Sequence, residues 1–335
     1  MSGDRYVTLA HGNGGRFMRS LIEEIFARHL ANPLLDINAD ASHVPVPAGE
    51  LLVTTDGFTV QPLEFPGGDI GSLCVHGTVN DLAVSGAVPV SLTLNAFIEE
   101  GLELALLDRL VQSLARAARE AEVQVAAGDT KVLRRGEGGG LYLATTGIGI
   151  RRPGFKPGLE RIREGDAILV SGPVGDHGAA VLLAREEFGL RGELRSDQGS
   201  IFPLAQSLFA LPGLRFMRDP TRGGLATVAH DIARATGATV KLGESAVPVR
   251  ETVRGVCDIL GYDPYYLASE GRIVAVVAPE QARTALAAWH ALPQGRAAAI
   301  IGRIEKGAAR VILETGIGGE RLLEELEDDP LPRIC

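Results

Sequence analysis

The chain reads as two domains of mixed α and β structure, and three observations carry that reading. Its 335 residues correspond to about two domains of roughly 150 residues each. Apolar runs switch between strand-like and helical spacing along the whole length. One break in composition, RRPGFKPGLERIREG at 151–165, gathers two prolines, three glycines and several charges, as a linker does. With 45% hydrophobic and 22% charged residues, the balance is that of a globular chain with a real core.

The elements follow in order. Residues 20–29 place Leu21, Ile22, Ile25 and Phe26 at helical spacing after a Gly-rich opening. A β-type run at 51–55 ends in Asp56-Gly57, 71–86 predicts a helix, and 88–98 predicts a strand. Residues 104–121 keep a long 3.6-residue period, 123–127 enters AGDTK as a strand, and 141–150 alternates as another. Past the break come a strand at 167–171, the turn GPVGDHG and a helix from Ala179. A helix opening in TRGG (221–224) and strands at 273–278 and 311–314 complete the second unit. The acidic, proline-stiffened end EELEDDPLPRIC reads as a tail with little to bury.

Several classes are disfavoured. The net charge of −9, from 33 Lys+Arg against 42 Asp+Glu, lacks the basic surface that a nucleic-acid backbone requires. The longest uncharged stretches, 82–98 and 198–214, are broken by Pro, Ser, Gly, Asn and Gln, so neither suits a bilayer. No secretory signal is visible at the start, and a cytoplasmic location is expected. Three cysteines without a CxxC pair support neither a disulfide framework nor a zinc site. Cys74 and Cys257, in apolar surroundings, read as small core residues.

Glycine is abundant, 42 of 335 against a typical 7% or so, and clusters in short knots. The first, His11-Gly12-Asn13-Gly14-Gly15-Arg16, precedes a helix, where free N–H groups and close backbone approach suit an anion; a flexible turn is the plain alternative. It matches neither the P-loop nor the Rossmann pattern.

Three aspartates stand at element ends: Asp56 in TTDG, Asp81 after Asn80, and Asp129 in GDTK. Converging carboxylates about 4 Å apart repel by roughly 4 kcal/mol per pair at an effective dielectric near 20. A shared site therefore needs a cation, and Mg²⁺ with substrate phosphates is the natural one. Three separate turn or cap aspartates are the alternative. Lys131, two residues after Asp129, shares its face on a strand; it either binds phosphate there or pairs with Asp129. Arg218-Asp219-Pro220-Thr221-Arg222-Gly223-Gly224 leads into an apolar helix and offers a second anion-approaching turn. Ser269-Glu270-Gly271-Arg272, just ahead of a strand, puts a carboxylate at a loop edge, by default a solvated one.

The terminal PLPRIC, 330–335, can reach about 20 Å at the 3.3–3.6 Å that an extended residue spans. Its prolines keep it extended and lower the entropy lost on insertion into a cleft. A last-residue thiol cannot pack from both sides and invites oxidation, and its position rules out CaaX prenylation. Cys335 therefore reads as a group carrier on a semi-rigid arm.

HGNGGR, TTDGF, FPGGDIG, GTVNDLAVSGA, AGDTKV, SGPVGDHGAA, RDPTRGG, ESAVPV, RGVCDILG, ASEGR and the final PRIC, in order from residue 11 to 335, resemble the HypE family of hydrogenase maturation factors. Most are shared loosely with the wider aminoimidazole-ribonucleotide-synthetase-like (PurM-like) superfamily; the PRIC ending is particular to HypE. The resemblance implies an α+β, two-domain PurM-like fold. An α/β domain over 1–152 would bind ATP and form a dimeric β-barrel with a second copy. An α+β domain over 160–315 and a flexible tail over 316–335 would follow.

The implied reaction is ATP-dependent dehydration of a carbamoyl group on the terminal cysteine to a thiocyanate, for the cyanide ligands of [NiFe]-hydrogenase iron. HypF would load the carbamoyl group, and a HypC–HypD complex would accept the cyanide. On this reading Asp56, Asp81 and Asp129 hold Mg²⁺, and Gly12, Asn13, Gly14, Gly15, Thr130, Asp219 and Arg222 join them around ATP. Lys131 sits on the phosphates, His11 covers them, Glu270 accepts a proton, and Cys335 carries the substrate. A selenophosphate synthetase would need a reactive Cys or selenocysteine in HGNGGR. A thiamine-phosphate kinase has no use for the terminal thiol. A non-catalytic thiol carrier leaves the aspartates and AGDTK unexplained.

Overall fold

The computed structural model describes residues 5–185, 193–327 and 334. A 3-10 turn at Leu9–Gly12 leads into a helical stretch made of α1 (Arg16–Leu21), a π-type segment at Ile22–Ala27 and α2 (Arg28–Leu30). Its apolar side, Leu21, Ile25, Phe26 and Leu30, is buried. Then come β1 (Glu50–Phe58), a short hairpin of β2 (Glu64–Phe65) and β3 (Gly68–Asp69), α3 (Ile70–Val84), β4 (Ala87–Glu99), α4 (Leu104–Glu120), β5 (Gln124–Leu133) and β6 (Leu141–Arg151).

The four long strands form one sheet in the order β1-β6-β4-β5. Within it only β4 and β5 run parallel, and α4 provides the crossover that parallel neighbours require. α3 starts at Asp69, whose side chain accepts the Ser72 N–H at 2.9 Å, an N-cap bond. This helix is buried along nearly its whole circumference, its polar Ser72, His76, Thr78 and Asn80 included. It packs on β1, β6 and β4, on α4, and on α6 of the second domain. The opposite face of the sheet is open and carries Leu51, Val53, Val88 and Phe97, between 36% and 62% exposed.

The second domain contains β7 (Ala167–Val170), α5 (Asp176–Ala184), α6 (Phe202–Leu208), β8 (Leu214–Arg218), α7 (Gly224–Thr236), β9 (Thr239–Gly243), α8 (Glu251–Leu260), β10 (Val274–Val277), α9 (Ala282–His290), β11 (Ala299–Glu305), β12 (Arg310–Glu314) and β13 (Glu320–Leu322). Its seven-stranded sheet has the order β13-β12-β9-β11-β7-β10-β8. One face is covered by α7, the other by α6 and α9 around the buried Trp289. Ala83 and Val84 at the end of α3 belong to this second core, so the domains are joined by shared packing and not by the linker alone.

Three expectations change. β1 does not stop before Asp56-Gly57, because its pairing with β6 continues to Phe58 opposite Leu143. The chain beyond 315 does not leave the domain at once: β13 pairs with β12 and Leu323 is buried in the core under α7. The tail also has something to bury, since Ile334 is 6% exposed. Cys74 and Cys257 are buried free thiols. Among the described residues, no helix is long and apolar enough to cross a membrane.

Candidate active site at the domain junction

Strand register decides which of the candidate residues meet. Asp56 lies opposite Thr145, Thr145 opposite Leu94, and Leu94 opposite Gly128. The row that begins with Asp56 thus ends on Gly128, and Asp129 is one residue further on. A one-residue step turns a side chain to the other face of a sheet. Asp56 faces α3, where a Cβ placed on Gly77 would sit 3.7 Å from its Oδ2. Asp129 and Lys131 share the open face with Asn95 and Phe97. β1 and β5 are also opposite edges of the sheet, about 14 Å apart at ~4.8 Å per strand. The expected trio of Asp56, Asp81 and Asp129 does not converge within one chain.

What gathers instead is Asp56, Asp81, Asp219 and Glu270. Asp81, near the end of α3, accepts the Thr54 hydroxyl at 2.8 Å, and Asp56 accepts the Gly57 N–H at 2.8 Å. Burial raises the pKa of both carboxyls, with Asp56 adding to the rise at Asp81. Asp219 is pushed up to about 7, by burial first and then by the Asp81 charge. Glu270, 2% exposed, is raised well above the ordinary carboxyl range by burial, then by Asp219, Asp197, Asp56 and Asp81. Its Oε1 has no hydrogen-bond partner among the described residues. The solvated-turn reading of ASEGR is therefore wrong, because the loop is pinned into the junction. Arg222 and Arg218 bring positive charge, the first lowering the pKa of Asp56 and the second that of Asp81.

The pins come from both domains. Asn80 Nδ2 donates to the Gly199 and Glu270 carbonyls at 3.0 Å each, and its Oδ1 accepts the Ile201 N–H at 2.9 Å. Asp197 accepts the Glu270 N–H at 3.1 Å and pairs with Arg272 at 3.3 Å. The Ser269 N–H donates to the Pro220 carbonyl at 2.9 Å, which ties this loop to RDPTRGG. In that turn Gly224 has φ of +59°, and a Cβ there would lie 2.6 Å from the Leu267 and Tyr265 carbonyls. Only glycine lets α7 start so close. Asn80 had one signal in the sequence, its place beside Asp81 in a helix of mostly apolar residues. Asp197 had none.

The remaining candidates form a second group beside β5. A Cβ on Gly12 would meet Val132 at 2.8 Å, so the glycine allows HGNGGR to lie against this strand. His11 is fully buried, its Nδ1 accepting the Thr8 N–H at 3.0 Å, and it packs edge-on against Phe17. Asn13, Gly14 and Gly15 are exposed, and Thr130 is buried. Lys131 Nζ reaches Asp129 Oδ2 at 2.5 Å, the pairing that the sequence left open. Cys335 lies outside the described residues.

Among the described residues, no three His, Cys, Asp or Glu side chains form a ready metal shell. The four carboxyls gathered beside Arg222 are instead a cluster of like charge whose repulsion a cation or a proton relieves. A carboxyl whose pKa burial and like charges raise is suited to hold and pass a proton.

The two domains match, in order, the two domains of the AIR synthase related proteins. The model of their N-terminal domain matches residues 38–151, and that of their C-terminal domain matches residues 163–314. Carbamoyl dehydratase HypE of Azotobacter vinelandii is 47% identical over 331 residues, 98% of this chain and 97% of that protein. The solved structure of HypE in complex with ATP superposes with a TM-score of 0.92 at 44% identity, covering 98% of this chain and 99% of that one. HypE from a HypE–HypF complex gives 0.80 at 39% identity, over 92% and 100%. The chain belongs to the HypE family of carbamoyl dehydratases.

Proposed function

We propose that this enzyme dehydrates a carbamoyl group, held on the thiol of its own last residue, Cys335, to a thiocyanate at the expense of ATP. The observation that carries the reading is Glu270: a buried carboxyl with an oxygen that no described residue hydrogen-bonds, set among three aspartates where two domains meet. A thiocarbamate S–C(=O)–NH₂ does not lose water unaided, because its oxygen is a poor leaving group. Transfer of the terminal phosphoryl group of ATP to that oxygen makes phosphate the leaving group. Glu270 takes an N–H proton, the C–O bond breaks as the second N–H proton departs, and S–C≡N remains with ADP and phosphate. The protein's part is position and charge. Asp56 and Asp81 fit Mg²⁺, which would neutralise phosphate charge; Arg222 and Asp219 fit the polyphosphate and the incoming tail.

The Asp129–Lys131 edge and HGNGGR complete the site from a second copy. The open face of the first sheet, with Leu51, Val53, Val88 and Phe97, is the apolar surface that such a homodimer covers, and two sheets so paired make the barrel of this family. A solved HypE–HypF complex supports HypF as the source of the carbamoyl group; HypC–HypD as cyanide acceptor follows from the product. The first domain runs over 1–152 and the second from 160 through β13 and Leu323, with the terminal cysteine carried on the chain that follows.

The test is intact mass of the full chain carbamoylated at Cys335, incubated with ATP and Mg²⁺. Loss of one water is expected in the wild type and none in Asp81→Asn. ATP turnover that survives deletion of Cys335 unchanged, in the presence of the carbamoyl donor, overturns the reading.

A further inference from the structure

The turn SGPVGDHG has no part in the chemistry above, yet it holds a fully buried polar side chain, His177, 0% exposed. His177 Nε2 lies 2.9 Å from the Ile334 carbonyl oxygen, and its Nδ1 lies 2.8 Å from Ser196 Oγ. A carbonyl only accepts, so Nε2 carries the proton and Nδ1 accepts from the serine hydroxyl. Ser196 Oγ in turn accepts the Gln198 N–H at 3.0 Å. Burial lowers the His177 pKa to about 4, so the ring is neutral and the chain of bonds has one direction. Phe65 of the first-domain hairpin meets the ring edge-on at 5.4 Å. The ring is thus clamped by both domains.

The side chain of Ile334 joins an apolar cluster with Leu182, Leu194, Val253, Val256, Leu267 and Ala268, from α5, α8 and the loops beside them. Ala268 is two residues from Glu270, and Ser196 is next to Asp197, which holds the Glu270 backbone. The seat of the penultimate residue is therefore built from the same two loops that position the candidate proton acceptor.

We infer that His177 and this pocket form a receptor for the penultimate residue, which docks the tail through Ile334 independently of what the terminal thiol carries. The pocket selects a branched apolar side chain, and the His177 bond sets the depth of the backbone. His177 is a positioning residue, and the inference rests on the tail-as-substrate reading for its consequence but not for its test.

Docking is read directly by the rate at which trypsin, cutting after Arg333, releases the Ile-Cys dipeptide from the full-length protein. In Ile334→Ala and His177→Leu that rate rises about tenfold, the factor that corresponds to about 1.4 kcal/mol, with no earlier cleavage elsewhere. His177→Gln, which keeps an N–H donor, restores most of the protection. Single-turnover dehydration of the carbamoylated chain falls by a similar factor in the first two variants while KM for ATP stays within about twofold, as for a group that positions and does not bind nucleotide. Release at the wild-type rate in both variants overturns the receptor. Faster release in Ile334→Ala alone removes His177 from it, and Ile334→Ala, altered at the chain end, reports even where His177→Leu does not fold. A wild type that dehydrates nothing sinks the proposed reaction but leaves the proteolysis result standing.

Discussion

Two acidic regions of this protein carry similar motifs and have opposite physics. At β5, Asp129 is half exposed and paired with Lys131, so its charge is balanced within the strand and wetted by solvent. At the domain junction, Asp219 and Glu270 are nearly inaccessible, and burial together with the charges of Asp56 and Asp81 opposes their ionisation. Buried like charges cost stability unless a counter-ion or a proton relieves them. The first region is settled as it stands. The second is held in tension that a phosphate-bound cation and substrate can relieve, and that tension is what a proton-transferring carboxyl requires.

The largest expected effect separates the two regions directly. Glu270→Gln keeps the shape and removes the proton acceptor, so single-turnover conversion of carbamoyl to cyano falls about 10²–10⁴-fold with ATP affinity nearly unchanged. A near-wild-type rate, followed by intact mass, takes Glu270 out of the chemistry. Next comes a mixing experiment. In the proposed homodimer, Asp81→Asn and Asp129→Asn chains, each inactive alone, recover about a quarter of wild-type activity when refolded together, since half of the dimers would be mixed and each would have one intact composite site. No recovery assigns both regions to separate tasks.

Asp219→Asn removes a carboxyl whose pKa is raised to about 7. At pH 8 the ligand-free protein gains about 1–3 kcal/mol, seen as a melting temperature a few degrees higher, and the gain shrinks as the pH falls below 7. Substitution of Asp129 gives no such gain. The smallest effect concerns acid. Burial lowers His177, and likewise His76 in the middle of α3, to about 4, against about 6.5 in the unfolded chain. Below pH 6.5 the unfolded chain binds protons that the folded chain refuses, so their contribution is whole above 6.5 and is lost toward pH 4. Between pH 7 and 5, His177→Gln therefore loses up to about 2 kcal/mol less stability than the wild type, measured by urea midpoints; parallel losses in both proteins contradict the buried neutral ring.

The regular elements were legible because each rests on local periodicity. The helices α3 and α4 and the strands β4, β6, β7, β10 and β12 lie within a residue or two of where their spacing put them. Asp56 and Asp81 were legible as residues out of keeping with their apolar surroundings. Their partners were not. In sequence Asp129 is equivalent to Asp56, but register puts Gly128 in the row and turns Asp129 away, and one residue of offset leaves no trace in composition. Glu270 read as a solvated turn because nothing local shows that Asn80, 190 residues earlier, fastens its backbone. The tail reads in sequence as having little to bury, because the seat for its one buried isoleucine is made by α5 and α8, far away in the chain.

The sequence alone determined the two-domain class, the family and the thiol at its end, since these depend on patterns that neighbouring residues carry. Which carboxyls face one another, how far burial lifts their pKa values and where Ile334 comes to rest were decided only by the tertiary structure. Face, depth and distance arise when strands pair in register and domains close over one another, and no stretch of chain holds that information by itself.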